Sequence, residues 1–163
     1  MSKKFILQKE MKNLLSTGSY YFKYNRVKFE KNKFEENYHS IALDPDGKKR
    51  NLILEKKYKL KQINEIINFL NKQKPGKILD IGCGHGWLLS TLNNKWKKFG
   101  LDVSEFALKS ASKYAEVFLG DIKDFNKEKF DFISALHIIE HHSKPERLIK
   151  KIYKILKPGG TLI

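Results

Sequence analysis

Cysteine occurs once in this chain of 163 residues, at Cys83, so no internal disulfide can form and no metal site can be built from thiolates. Long apolar runs are missing as well. No stretch approaches the ~18 apolar residues of a membrane helix, and the opening MSKKFILQKEMKNLL scatters charges where a secretory signal would keep an unbroken apolar segment. A cytoplasmic protein with no membrane partner is the expectation. Arginine is scarce: Arg26, Arg50 and Arg147 are the only three among 33 basic residues. Base-reading contacts and bidentate phosphate clamps favour arginine over lysine. There is no internal repeat, and nothing in the composition fixes an oligomeric state.

Lysine is what the chain has in excess, giving a net charge of +15. Such a charge raises RNA as a partner through counterion release. Residues 23–33 interleave lysines with aromatics that could stack on single-stranded bases, with Tyr20, Tyr21 and Phe22 just before them, and Lys48, Lys49 and Arg50 form a second basic cluster. A substrate lid that packs the same aromatics inward explains the same letters, and lysine spread among Asn and Ile is a compositional habit. A small-molecule partner is therefore favoured over RNA.

The length suits one domain with a real core, and 40 % hydrophobic residues fit a globular chain. Residues 78–81 form the apolar run of a buried parallel strand, with Asp80 near its carboxyl end, where ligands of open α/β sheets bind. The run leads into Gly82, Gly84 and Gly86, which let the backbone turn tightly and approach a ligand. Cys83 reads as a small residue tolerated in that loop. Asp102 ends a second apolar run twenty residues after Gly82, at the distance from which a carboxylate accepts hydrogen bonds from ribose hydroxyls. Further runs at 117–119 and 130–136 alternate with helical stretches at 87–92, 104–114 and 145–156, Ser104 being an N-cap and Pro145 sitting near the first helical position. The order predicts an α/β fold, a Rossmann-like parallel sheet flanked by helices. A helix with Leu60, Ile63, Ile66, Ile67 and Leu70 on one face precedes the first strand and stops at Pro75-Gly76. Residues 1–50 form an N-terminal helical appendage or substrate cap, with an amphipathic helix over 3–15 and a turn at Asp44-Pro45-Asp46-Gly47. The sheet domain spans 51–163.

These residues resemble the class I S-adenosylmethionine-dependent methyltransferases, in the small-molecule branch that includes the ubiquinone-biosynthesis O-methyltransferases. The resemblance rests on LDIGCGHG (79–86), GLDVS (100–104), GDI (120–122), FDFISALHIIEHHSKPERLI (130–149) and LKPGGTLI (156–163). It implies S-adenosyl-L-methionine as cofactor, the glycine loop against its methionine end, Asp102 on the ribose, and Asp121 with Ile122 beside the adenine. The expected donor set is Asp80, Gly82, Cys83, Gly84, Gly86, Asp102, Val103, Asp121, Ile122 and Leu136. A dinucleotide oxidoreductase also wants glycines and a distant acid, but it needs a small residue where this chain has Trp87. The family ordinarily has seven strands, and the fifth falls at Thr161, Leu162 and Ile163. The resemblance thus implies a sheet truncated before its last strands, or completed by another chain.

The reaction implied is in-line transfer of a methyl group to a nucleophilic atom, with positioning as the main contribution. Where the acceptor must lose a proton, His137 and His141 are the base candidates, His137 first because it follows Leu136; His142 is the third. His137-x-x-Glu140-His141 also invites a divalent metal, but this spacing arises from packing on one helical face too, and no metal is expected. Three functions stay open: a small-molecule O- or C-methyltransferase, an RNA methyltransferase or RNA-binding relative, and an inactive partner subunit.

Overall fold

The computed structural model describes residues 55–163 apart from 126–127 and 143, together with the backbone of three short strands before them; the side chains of Asp124 and His141 lie outside the described set. The early strands are β1 (Lys4–Phe5), β2 (Ile41–Leu43) and β3 (Lys49–Asn51). Then follow α1 (Lys56–Gln62), α2 (Asn64–Asn71), β4 (Lys77–Ile81), α3 (Trp87–Ser90), β5 (Lys97–Asp102), α4 (Glu105–Ala111), β6 (Glu116–Leu119), β7 (Phe130–Ser134), α5 (Pro145–Ile155) and β8 (Leu156–Leu162). Short 3-10 turns lie at Ile122–Asp124 and Ile139–His141.

The main sheet has the order β1-β8-β7-β4-β5-β6, with every described pairing parallel. From β4 the chain walks outward through β5 to β6, then returns to the other side of β4 with β7 and continues to β8. The order reverses between β4 and β5 on one side and β7 on the other, and at such a switch point the loops leaving the strand ends part to leave a crevice.

Both faces of the sheet are covered, which explains the near-continuous apolar strands. Leu79 and Ile81 of β4 point into a core with Phe99, Leu101, Phe130, Ile133 and, from α5, Leu148, Ile152 and Ile155. Ile78 points the other way, against Leu70 of α2, Leu88 and Leu89 of α3, and Leu108 and Ala111 of α4. Asp80 shares the Ile78 face by strand alternation. The helices end where their chemistry directs: Ser104 Oγ accepts from the Ala107 amide at the start of α4, and Pro145 opens α5.

Two expectations change. The helix expected before the first strand is two helices broken at Ile63, whose backbone leaves helical geometry at φ −100° and ψ 15°. Of the amphipathic helix expected over 3–15, Lys4–Phe5 is a strand instead, pairing Lys4 with Thr161 and Phe5 with Leu162; the remainder lies outside the described residues. The outer side of the fifth strand, β8, is therefore paired at those two positions. The predicted turn at 44–47 is also outside the described residues, but its flanks form an antiparallel ladder that pairs Ile41 with Asn51 and Leu43 with Lys49.

Phe130 is fully buried and stacks edge-on to Phe99 at 5.4 Å, with Phe125 at 5.9 Å. Phe130→Ala should cost about 3–5 kcal/mol through lost transfer energy and an incompletely collapsed cavity. Urea unfolding should show a lower midpoint with an unchanged slope.

Candidate functional site

The loop after β4 is held in shape by backbone geometry that only glycine adopts without strain. Gly82, Gly84 and Gly86 have φ of 69°, 49° and 72°. Gly82 N and Cys83 N both donate to Leu101 O, at 2.7 and 3.2 Å, tying the loop to the end of β5. Space is as restrictive as torsion. A Cβ on Gly82 would lie 2.0 Å from Ile138 Cδ1, and one on Gly86 would lie 2.9 Å from the Ala111 backbone. Gly100 makes room in turn for the loop's side chain, since a Cβ there would lie 2.7 Å from Cys83 Sγ. Burial, with Asp80 and Asp102 adding their charge, pushes the Cys83 thiol far up, so it is inert at neutral pH.

Asp102 is the centre of the site. It is 7 % exposed, and its two carboxylate oxygens reach two different elements: Oδ2 accepts from Gly84 N at 2.8 Å and Oδ1 from Ser104 N at 2.9 Å. A carboxylate has about four lone-pair sites, so these two bonds leave acceptor capacity for a ligand's hydroxyls. One strand pair away, Asp80 is 5 % exposed and receives a 2.6 Å hydrogen bond from Ser134 Oγ. Ser134 stands opposite Asp80 in the β4–β7 register. Burial, opposed by the Ser134 bond and aided by the Asp102 charge, raises the Asp80 carboxyl to about 7.

The other expected residues lie around this centre in different states. Val103 is half-buried directly after β5. Asp121 Oδ1 accepts from Lys123 N at 2.9 Å and so caps the 3-10 turn, while Ile122 is buried in the core with Phe125; its side chain is committed to packing. Leu136 packs against the helix-side core. His137 does not continue the strand, because β7 stops at Ser134 and the chain turns. It takes a left-handed φ of 55°, leaves its ring 78 % exposed, and places Nδ1 3.2 Å from Glu140 Oε1. The expected His141 side chain lies outside the described residues, and His142 is half-buried. Among the described residues no group of three or more His, Cys, Asp or Glu side chains could hold a metal.

Three neighbours were not foreseen. Ser134 joins Asp80 from 54 positions away. Ile138 lies over Gly82. His85 is buried between Trp87, stacked at 5.4 Å, and Phe106, edge-on at 6.0 Å. Of these only His85 had a local signal, an aromatic ring inside the glycine loop next to Trp87.

A model of the methyltransferase domain matches residues 54–163. The ubiquinone biosynthesis O-methyltransferase of Coxiella burnetii (strain Dugway 5J108-111) is 33 % identical over 129 residues, covering 73 % of this chain and 53 % of that protein. The chain thus spans about half the length of the curated relatives it matches. Among solved structures, the plantazolicin methyltransferase BpumL, in complex with a monoazolic desmethylPZN analog and SAH, aligns with a TM-score of 0.50 at 25 % identity, over 63 % of this chain and 43 % of that one. CalS10, an amino pentose methyltransferase from Micromonospora echinaspora with SAM bound, has the same fold, with a TM-score of 0.57 at 19 % identity, over 68 % and 54 %.

The raised Asp80 carboxyl has a consequence for stability. Because its folded-state value of about 7 lies above the ordinary 3.8, the folded protein holds a proton that the unfolded chain has lost across that window. Its contribution is full below the unfolded value and is lost as pH rises through 7. Asp80→Asn should remove this slope, so that unfolding free energies measured by urea at about pH 5 and about pH 8 differ less in the variant than in the wild type.

Proposed function

This chain belongs to the methyltransferase-domain family, and from that premise we propose that it binds S-adenosyl-L-methionine and serves methyl transfer to an oxygen or carbon of a small-molecule acceptor. The observation that carries the reading is the Asp102 carboxylate, anchored by Gly84 N and Ser104 N with acceptor capacity left over, beside a loop in which a Cβ on Gly82 or Gly86 would press on Ile138 or Ala111. Support for a small acceptor comes from the Coxiella relative, whose name is that of a ubiquinone biosynthesis O-methyltransferase, and support for the donor from BpumL, whose structure holds SAH. Nothing comparable favours RNA, and only three of the 33 basic residues are arginine, the side chain that bidentate phosphate contacts favour.

The residues divide the work as follows. Asp102 takes the ribose hydroxyls. The backbone of Gly82, Gly84 and Gly86 lies along the methionine end, with Asp80, Cys83 and Leu136 forming the floor around it. Val103, Asp121 and Ile122 flank the adenine, Ile122 through its backbone because its side chain is buried. When bound, the donor supplies a methyl group already activated on a sulfonium, so orientation and exclusion of water dominate the protein's contribution. His137 takes the acceptor's proton at Nε2, since the Glu140 contact at Nδ1 holds the imidazole with that nitrogen free to accept. His141 is the second base candidate.

Asp102→Ala should weaken S-adenosylmethionine binding by about 1.5–3 kcal/mol, read by calorimetry; unchanged affinity overturns the assignment of the ribose. His137→Asn, a residue that tolerates the left-handed backbone, should leave donor affinity intact and lower methyl transfer about 10²–10⁴-fold. Transfer from labelled donor into a metabolite extract should survive ribonuclease. Transfer that requires an RNA pool and is abolished by ribonuclease would make RNA the acceptor.

A further inference from the structure

The ligand end of the sheet carries a charge arrangement opposite to that of the rest of the chain. In a protein of net charge +15, Asp80 and Asp102 are both more than nine-tenths buried, and among the described residues no lysine, arginine or histidine pairs with either. Ion pairs formed by described residues, Lys77 with Glu128 and Lys157 with Asp131, lie elsewhere. Two buried carboxylates with no cationic partner among the described residues do not both ionise cheaply. Asp102 is fixed as an acceptor by two backbone amides. Asp80 has one neutral partner, the Ser134 hydroxyl.

We propose that Asp80, held by Ser134 across the β4–β7 register, is a charge-matching positioning residue that gives up a proton to solvent when the positively charged methyl donor docks. The inference rests on the donor reading above and adds to it a proton that leaves as the cation arrives. The donor carries its charge on a sulfonium and an ammonium. Either group, brought into a well that already contains Asp102, favours the ionised form of Asp80. The groups that face Asp80 and set this balance are Asp102 from β5 and the Cys83 thiol in the loop, both opposing ionisation, with Ser134 from β7 favouring it.

The direction follows from the protein's own groups. With burial and the Asp102 charge holding the Asp80 carboxyl at about 7 against the Ser134 bond, binding of a cation below that pH expels a proton, and affinity falls about tenfold per pH unit there. Above it the site is already ionised and affinity levels off. Removing Ser134 takes away the bond that favours the anion, which moves this window to higher pH.

Calorimetry on the intact chain in two buffers of unlike ionisation enthalpy counts the protons released. With S-adenosylmethionine at about pH 6.5, the wild type should release a substantial fraction of one proton. Asp80→Asn should release none, and Ser134→Ala should show the same release displaced to higher pH. Methylthioadenosine, which retains the adenine and ribose but has neither the sulfonium nor the ammonium, should bind with no release. Binding of the donor without proton release, release that persists in Asp80→Asn, or equal release with methylthioadenosine overturns the inference while leaving the donor site standing. Failure to bind the donor even at about pH 8, where Asp80 is ionised, overturns the donor reading and the inference with it.

Discussion

The Asp102 carboxylate is the constraint from which the rest of the site takes its shape. Its two oxygens hold amides belonging to different elements, the loop after β4 and the start of α4. Without it the buried Ser104 N would lack an acceptor, at a cost on the order of 1–3 kcal/mol, and the half-buried Gly84 N would lose the bond that ties its loop to β5. The same residue ends β5, whose Leu101 carbonyl receives the Gly82 and Cys83 amides, and its own carbonyl receives Gly120 N at 2.9 Å from the end of β6. Three strand ends are thereby fixed relative to one another by one short stretch of chain. The loop's form is thus held by hydrogen bonds within the protein itself.

That rigidity depends on the sheet beneath it. The central parallel strands β4, β5 and β7, covered on both faces, give their ends a fixed height, so the side chains at their carboxyl ends meet on one level. The two cores share the support. Phe99, Phe118, Phe125 and Phe130 interlock on one face, while α2, α3 and α4 cover the other. The short α3, only four residues long, holds its place because Leu88 and Leu89 are buried; helical propensity could not sustain it alone.

What could be read from the amino-acid order was whatever is local. The glycines at 82, 84 and 86 announce a turn that a Cβ would obstruct, and the strand runs announce themselves by apolar density, so the alternation of strands and helices, the parallel sheet and the place of Asp102 were all legible. The Asp80–Ser134 bond was not, because it exists only once β7 returns to lie beside β4, and no local pattern states that register. Ile138 over Gly82 was hidden for the same reason. The backbone at His137 was not legible because its strand was expected to reach Leu136, whereas β7 stops at Ser134 and the turn over 136–138 gives His137 a left-handed φ that β and helical patterns do not forecast. The break at Ile63 escaped because the apolar spacing runs through it unchanged; periodicity reports which face is buried, not whether the backbone bonds continue.

The fit between Cys83 and Gly100 ties the histories of two positions together. The sulfur occupies volume that a side chain at 100 would need, so a larger residue at 100 requires the thiol to swing aside or position 83 to become smaller. Among descendants of this chain the two sites should tend to change together, with alanine or glycine at 83 as a permissive first move. A position that looks invariant at 100 would then be invariant only by circumstance, held by its neighbour in space and released when that neighbour shrinks.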